Sequence, residues 1–246
     1  MTSAATAAVI WHDAECGGFE ADLSLWDELA GAGGGPVLDL GCGTGRVALH
    51  LARRGHSVHA LDLESDFVET VRARAAEAGL DLEATAADAS DFSLAAEFAT
   101  ILAPMQLLQL LDGREGRVAC LRRAREHLRP GGVVAAAIVD GFPEELVEEV
   151  PPPIPDTREV DGWLYSSLPL DAGLSEGTIV VRRLRQTVSP AGELSDELDE
   201  VPLRLLDAAT LEAECVEAGL APAGRRLIPA TELHVGSTVV LMENPV

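Results

Sequence analysis

The chain of 246 residues contains no lysine: all 18 of its basic side chains are arginine. The amine on which a carbonyl substrate or pyridoxal phosphate would form a Schiff base is missing, so that chemistry is excluded. Cysteine is scarce. Cys16, Cys42, Cys120 and Cys215 lie far apart with no Cys-x-x-Cys spacing, which argues against a zinc knuckle or a disulfide framework. No metal site is expected, and the thiols should be reduced and mostly buried. No apolar run approaches the length of a membrane span, and no basic region precedes the short apolar patch near Met1. The expectation is a cytoplasmic protein with neither signal peptide nor membrane anchor. Positive charge is the last deficit: 41 acidic residues against 18 arginines leave a formal net charge of -23. Such a surface repels phosphate backbones, whereas nucleic-acid binders need basic patches. Nucleic acid is disfavoured as a partner and a small-molecule substrate is favoured.

What is present is concentrated between Val37 and Asp62. The apolar run Val37 to Leu40 predicts a buried strand, and Val47, Ala48, Leu51 and Ala52 fall on one helical face. After Gly55 a second strand runs through Val58, Ala60 and Leu61 and stops at Asp62. The unit is strand, glycine turn, helix, strand, with a carboxylate at the tip. Glycines at 41, 43 and 45 permit strained backbone angles and let a ligand lie against the main chain, while the following helix start offers unpaired N–H groups. A carboxylate at the end of the next strand suits the two hydroxyls of a ribose, so the ligand should carry a nucleoside. A dinucleotide loop needs Gly-x-Gly-x-x-Gly, and the residue at the last of those positions is Arg46.

The pattern Asp39-x-Gly41-x-Gly43-x-Gly45, followed by Asp62, resembles the nucleotide-binding motif of class I S-adenosylmethionine-dependent methyltransferases. A second point of resemblance is the turn Leu128-Arg129-Pro130-Gly131-Gly132. The resemblance covers Val37 to Val139 closely and the last helix and hairpin more loosely. It implies a Rossmann-like α/β fold: a seven-stranded, mostly parallel sheet with one antiparallel strand and helices on both faces. It further implies S-adenosylmethionine as cofactor, S-adenosylhomocysteine as product, and cofactor contacts from Asp39, Gly41, Gly43, Gly45, Asp62, Leu63, Asp88, Ala89 and Ala103. Asp88 would meet the adenine amino group and the Ala89 N–H a ring nitrogen. Families that methylate amide or exocyclic nitrogens often carry Asn/Asp-Pro-Pro-Tyr/Phe after the fourth strand; Ala103-Pro104-Met105-Gln106 departs from that and weakens a nucleobase target further.

One methyltransferase domain over residues 1–246 is expected, with two additions. Residues 1–35 read as a mobile arm, Ile10 to Glu15, and a short helix with Phe19, Leu23, Trp26 and Leu29 at helical spacing. In similar proteins such an element folds over the cofactor, which makes Trp11 and His12 candidates to line the active site. Residues 141–206 read as an antiparallel β insertion over the substrate site: a proline-rich linker at 150–155, strands at 159–168, 178–188 and 200–205, and a polar, acidic stretch between the last two. Trp163 and Tyr165 beside Arg182, Arg183 and Arg185 either grip a planar or anionic acceptor or pack on the core and pair with acids; the pattern leaves both open. Gln106 and Gln109 either face a substrate, serve as caps or point to solvent. A transferred methyl needs a base only if its acceptor is an alcohol, a phenol or a protonated amine, and the candidates are His12 and His234, the latter in the turn before the last strand. Monomer and homodimer are both compatible with the sequence. A non-catalytic protein that binds S-adenosylmethionine, and a nicotinamide-dependent oxidoreductase, remain as alternatives to the enzyme reading.

Overall fold

A computed structural model describes residues 6–140, 154–231 and 234–246. In chain order its elements are α1 (Ala7–Cys16), α2 (Leu23–Gly33), β1 (Val37–Leu40), α3 (Arg46–Arg53), β2 (Val58–Asp62), α4 (Ser65–Ala78), β3 (Leu82–Ala86), β4 (Phe98–Ala103), α5 (Leu107–Leu110), α6 (Gly113–Glu126), β5 (Leu128–Ile138), β6 (Asp156–Val160), β7 (Trp163–Ser175), β8 (Thr178–Val188), β9 (Leu194–Arg204), α7 (Ala208–Glu217), β10 (Ala221–Ile228) and β11 (Ser237–Glu243). They divide into two compact units. The larger holds Glu20–Asp140 and Leu206–Val246; the smaller holds the described residues up to Phe19 and from Ile154 to Leu205. The arm and helix read at residues 1–35 are thus shared out, α1 to the smaller unit and α2 to the larger.

The larger unit is built on a seven-stranded sheet in the order β10-β11-β5-β4-β1-β2-β3. Only β11 runs against its neighbours, pairing antiparallel with both β5 and β10. Every residue of β1 and β4 is buried, as expected of central parallel strands covered on two faces. The apolar positions at 47, 48 and 51 turn α3 inward as their spacing predicts. Because β1 is followed by β2 and β3 on one side and by β4 and β5 on the other, the growth of the sheet reverses between β1 and β4. Ligands of open α/β sheets bind at the carboxyl ends of strands at such a reversal. The glycine loop leaves β1 at that place.

One boundary differs from the sequence reading. Leu128 to Gly132, read as a turn, are the irregular opening of β5. Gly131 N–H donates to Asn244 O at 2.8 Å, Asn244 N–H returns to Gly132 O at 2.9 Å, and Asn244 Nδ2 donates to Leu128 O at 2.7 Å. Asn244, directly after the last strand, thereby supplies the backbone partners that Pro-Gly-Gly would otherwise lack, and the register against β4 shifts there.

The smaller unit is the antiparallel sheet β6-β7-β8-β9 with α1 packed on β6 and β7. Three hairpins join its strands, and the first two turn at Asp161-Gly162 and Glu176-Gly177, all at positive φ, the conformation that two-residue hairpin loops demand. The segment read as a mobile arm is the helix α1, with Val9, Ile10 and Trp11 buried. The stretch read as polar loop before residue 200 belongs to β9, whose acids face β8 arginines across the ladder: Glu197 opposes Arg185 and Asp199 opposes Arg183. The linker read at 150–155 lies, apart from Ile154 and Pro155, outside the described residues.

Candidate functional site

The glycine loop of the larger unit is shaped to accept a ligand at its backbone. Gly41 and Gly43 have φ of +65° and +54°, where a side chain is strained, and a Cβ on Gly41 would lie 2.7 Å from Leu107 Cδ1. Asp62, at the end of β2, is tied to this loop. Its Oδ2 accepts Gly43 N–H at 2.8 Å and its Oδ1 accepts Glu64 N–H at 3.0 Å. Each oxygen keeps lone-pair capacity for a further donor, so the carboxylate is oriented before any hydroxyl reaches it. Beside it Leu63 is 66% exposed, an apolar surface displayed next to the glycine loop.

Asp39 is the unusual group. It is buried in β1 directly before the loop, and neither carboxyl oxygen is hydrogen-bonded. Burial pushes its carboxyl up to about 7; the Arg46 guanidinium pulls the other way, as does Ala48 N–H, which lies outside hydrogen-bonding geometry. A buried carboxylate without a donor is costly unless something positive or hydrogen-bonding completes it. The cofactor that the motif implies is cationic, so a carboxyl without a hydrogen-bond donor fits it.

The remaining sequence candidates fall as follows. Asp88 lies beyond β3 and accepts both Ser90 N–H and Ser90 Oγ–H at 2.7 Å, which hold its carboxyl below the usual range; Ala89 next to it is buried. Asp62 O accepts Ala87 N–H at 2.9 Å, so the tips of β2 and β3 are joined. Ala103 is buried at the end of β4, and the chain leaves through Met105 and Gln106, both left-handed at φ +48° and +61°, strain of the kind that concentrates at functional sites. Gln106 Nε2 donates to Ser237 Oγ at 3.2 Å. Gln109 is no substrate contact: it is fully buried and clamps Val139 through both ends of its amide.

His234 lies in the turn before β11, its N–H donating to Thr231 Oγ1 at 3.0 Å, at the carboxyl end of the sheet. His12 is half-buried on α1 in the smaller unit. There the aromatics and arginines serve each other. Trp11 meets Tyr165 edge-on at 5.1 Å, with Arg185 5.3 Å over its ring. Arg185 grips Glu15 through two bonds of 2.7 and 2.8 Å and also reaches Asp199 at 2.7 Å. Arg183 bonds Ser167 and Asp156, and Arg182 bonds Asp171. Burial raises the Glu15 carboxyl, but hydrogen bonds from Arg185 and Ser167 outweigh it and hold it low. The pairing reading of these arginines is the one the structure supports; Trp163 remains 41% exposed.

Sequence reasoning missed Asp22. Its carboxylate, 1% exposed, takes both Arg46 Nη atoms at 2.6 and 2.7 Å and Trp26 Nε1 at 2.7 Å. Arg46, noted only as the wrong residue for a dinucleotide loop, therefore anchors the first turn of α3 to α2. A cavity of about 340 Å³ lined by Leu29, Gly33, Ala99, Arg129, Gly132 and Leu241 opens at the amino end of the sheet, away from the glycine loop, and no residue of the motif lines it. Among the described residues no cluster of histidine, cysteine and acids has the form of a metal site, and no helix is long and apolar enough to cross a membrane.

Comparison with known proteins agrees with this geometry. Residues 37–132 match the family described as a methyltransferase domain. The ubiquinone biosynthesis O-methyltransferase of Xanthomonas axonopodis pv. citri is 30% identical over 45% of each chain, so the chain spans less than half that relative's length. A dTDP-3-amino-3,4,6-trideoxy-alpha-D-glucopyranose N,N-dimethyltransferase from Streptomyces venezuelae is 27% identical over 78% of this chain and 80% of its own. An amino pentose methyltransferase from Micromonospora echinaspora, solved with S-adenosylmethionine bound, superposes with a TM-score of 0.70 over 99% of this chain and all of its own at 17% identity. Residues 37–132 are thus a methyltransferase domain of the class I S-adenosylmethionine-dependent kind.

Proposed function

We propose that the protein transfers a methyl group from S-adenosylmethionine to a small-molecule acceptor, and that the acceptor is an amino sugar. The observation that carries the cofactor half is the pair of carboxylates around the glycine loop: Asp62 oriented by Gly43 N–H, and Asp39 buried without a donor. When bound, the cofactor supplies an electrophilic methyl on a sulfonium and a neutral thioether as leaving group. The chain's own part is to bind and align. Gly41 to Gly45 let the ligand approach the backbone, Asp62 receives the ribose hydroxyls, Leu63 covers an apolar face, and Asp88 with Ala89 addresses the base. Alignment of nucleophile and electrophile is worth on the order of 7–11 kcal/mol in well-oriented systems, and no metal is needed for it. Support for an amino sugar comes from the Streptomyces venezuelae relative, which extends over most of both chains. The net charge of -23 speaks against RNA or DNA as acceptor.

A protonated amine must lose a proton before it attacks, so His234 or His12 is assigned as base. The test is formation of S-adenosylhomocysteine from S-adenosylmethionine with a panel of nucleotide-linked amino sugars, phenols and alcohols. Turnover with amino sugars alone supports the reading, whereas turnover with phenols alone replaces the acceptor. Cofactor binding without turnover on any acceptor favours the non-catalytic alternative. The base is identified by the variant, His234→Ala or His12→Ala, that lowers kcat and removes the acidic limb of its pH profile while sparing cofactor affinity.

A further inference from the structure

The segment between β3 and β4 bears Asp88 and Ala89, yet from Phe92 to Glu97 it has no regular structure of its own. His127, the residue that closes α6, holds it. The imidazole is 7% exposed and lies against Phe92 with ring centroids 4.7 Å apart. Its two nitrogens face partners of opposite kind. Leu94 N–H, which can only donate, is 2.9 Å from Nε2, and the carbonyl of Arg123, which can only accept, is 2.8 Å from Nδ1. Only the neutral ring with its proton on Nδ1 satisfies both. The His127 carbonyl accepts Phe98 N–H at 2.7 Å where β4 begins. One residue therefore touches the segment at its ring, its middle and its end, and Arg123 of the same helix adds an ion pair to Asp91 at 2.6 Å.

We propose that His127 is a positioning residue for cofactor binding: by accepting Leu94 N–H it fixes the segment that presents the Asp88 carboxylate and the Ala89 N–H to the adenine. The proposal rests on the cofactor reading above. Nothing in it requires His127 to touch the cofactor. The ring, its tautomer and its stacking are instead the means by which α6 sets the height of a loop at the far ends of β2 and β3. An isolated buried histidine would satisfy one nitrogen at most from the loop it supports; here the acceptor goes to the loop and the donor to the helix, which joins the two bodies through a single ring.

The test uses the full chain and titrates S-adenosylhomocysteine calorimetrically into wild type, His127→Phe, His127→Gln and Asp88→Ala. Phenylalanine keeps the ring against Phe92 but removes the acceptor, and its Kd should rise about tenfold, the effect of one lost hydrogen bond. Glutamine carries an amide oxygen near the place of Nε2 and should restore most of the affinity. In turnover the loss should fall on KM for the cofactor, with kcat retained. Wild-type affinity in His127→Phe, or equal weakness of the Phe and Gln variants, overturns the proposal. If His127→Phe does not fold, His127→Asn replaces it: its shorter amide reaches Arg123 O but not Leu94 N–H, so it should bind more weakly than Gln, and equal affinities would refute the mechanism. Failure of wild type to bind the probe would remove the cofactor reading itself, and unchanged affinity in Asp88→Ala would remove this segment from the site.

Discussion

Asp39→Asn should make the ligand-free protein more stable and the cofactor bind less well, and the two effects have one cause. The Asp39 carboxyl has its folded-state value raised from 3.8 to about 7, chiefly by burial. Between those values the folded chain holds a proton that the unfolded chain has released, so stability falls as pH rises through that window and levels off above it. Each tenfold change in proton affinity corresponds to about 1.4 kcal/mol, which places the cost of the ionised group above pH 7 on the order of 4 kcal/mol. Asparagine is nearly isosteric and never ionises. Relative to wild type it should therefore gain stability progressively from pH 5 to pH 8, by about 2–4 kcal/mol after the cost of a buried unpaired amide is set against it. Denaturant unfolding of both proteins at four pH values measures this, because titration of every other group cancels in the difference. Affinity for S-adenosylmethionine should rise with pH in wild type as the carboxylate forms, and be weaker and flatter in the variant. Parallel unfolding profiles, or a variant that binds as tightly as wild type, would refute the assignment of Asp39 as an uncompensated charge awaiting a cation.

Three further outcomes follow from named contacts. Asp62→Ala removes the acceptor of Gly43 N–H and Glu64 N–H and, on the proposed cofactor reading, the partner of two ribose hydroxyls; at about 1.5–3 kcal/mol for each hydroxyl bond to a charged group, cofactor Kd should rise at least about a hundredfold in a calorimetric titration. Arg46→Ala leaves Asp22 buried without its bidentate partner, which should cost about 3–5 kcal/mol in denaturant unfolding, and Arg46→Gly should lose the same stability without acquiring NAD binding. The expectation that residues 141–206 cover the substrate site predicts that Trp163→Ala raises KM for the acceptor and leaves cofactor Kd unchanged; a change in cofactor affinity instead would contradict it.

What the sequence made legible was local. The path from Val37 to Asp62 is encoded by residues whose partners are close in the chain, and the acid after β2 needs only the strand length to find Gly43. The mostly parallel sheet with one antiparallel strand was legible through the family resemblance and the final hairpin, whereas the order of its strands came only with the structure. The arm read before the first strand proved to be α1 because its apolar residues Val9, Ile10 and Trp11 bunch together rather than mark a clear stripe. The acids of β9 looked like a solvated loop until Arg183 and Arg185 stood opposite them. Asp22 was invisible because Arg46 lies 24 residues away and no spacing rule connects an N-terminal helix to the glycine loop. His127 was equally silent: its partners are a backbone N–H and a backbone carbonyl, which every residue type possesses. Gln109 looked like a group for a substrate and is a clamp on Val139, since an amide that satisfies one N–H and one carbonyl suits a buried strand end as well as a ligand.

On the proposed reading, the glycine loop and its two carboxylates bind S-adenosylmethionine. Its direct test is a calorimetric and thermal-shift titration of the full chain with S-adenosylmethionine, S-adenosylhomocysteine and NAD in parallel. The first two should bind and stabilise the protein and the third should not; a response to NAD alone would overturn the S-adenosylmethionine reading.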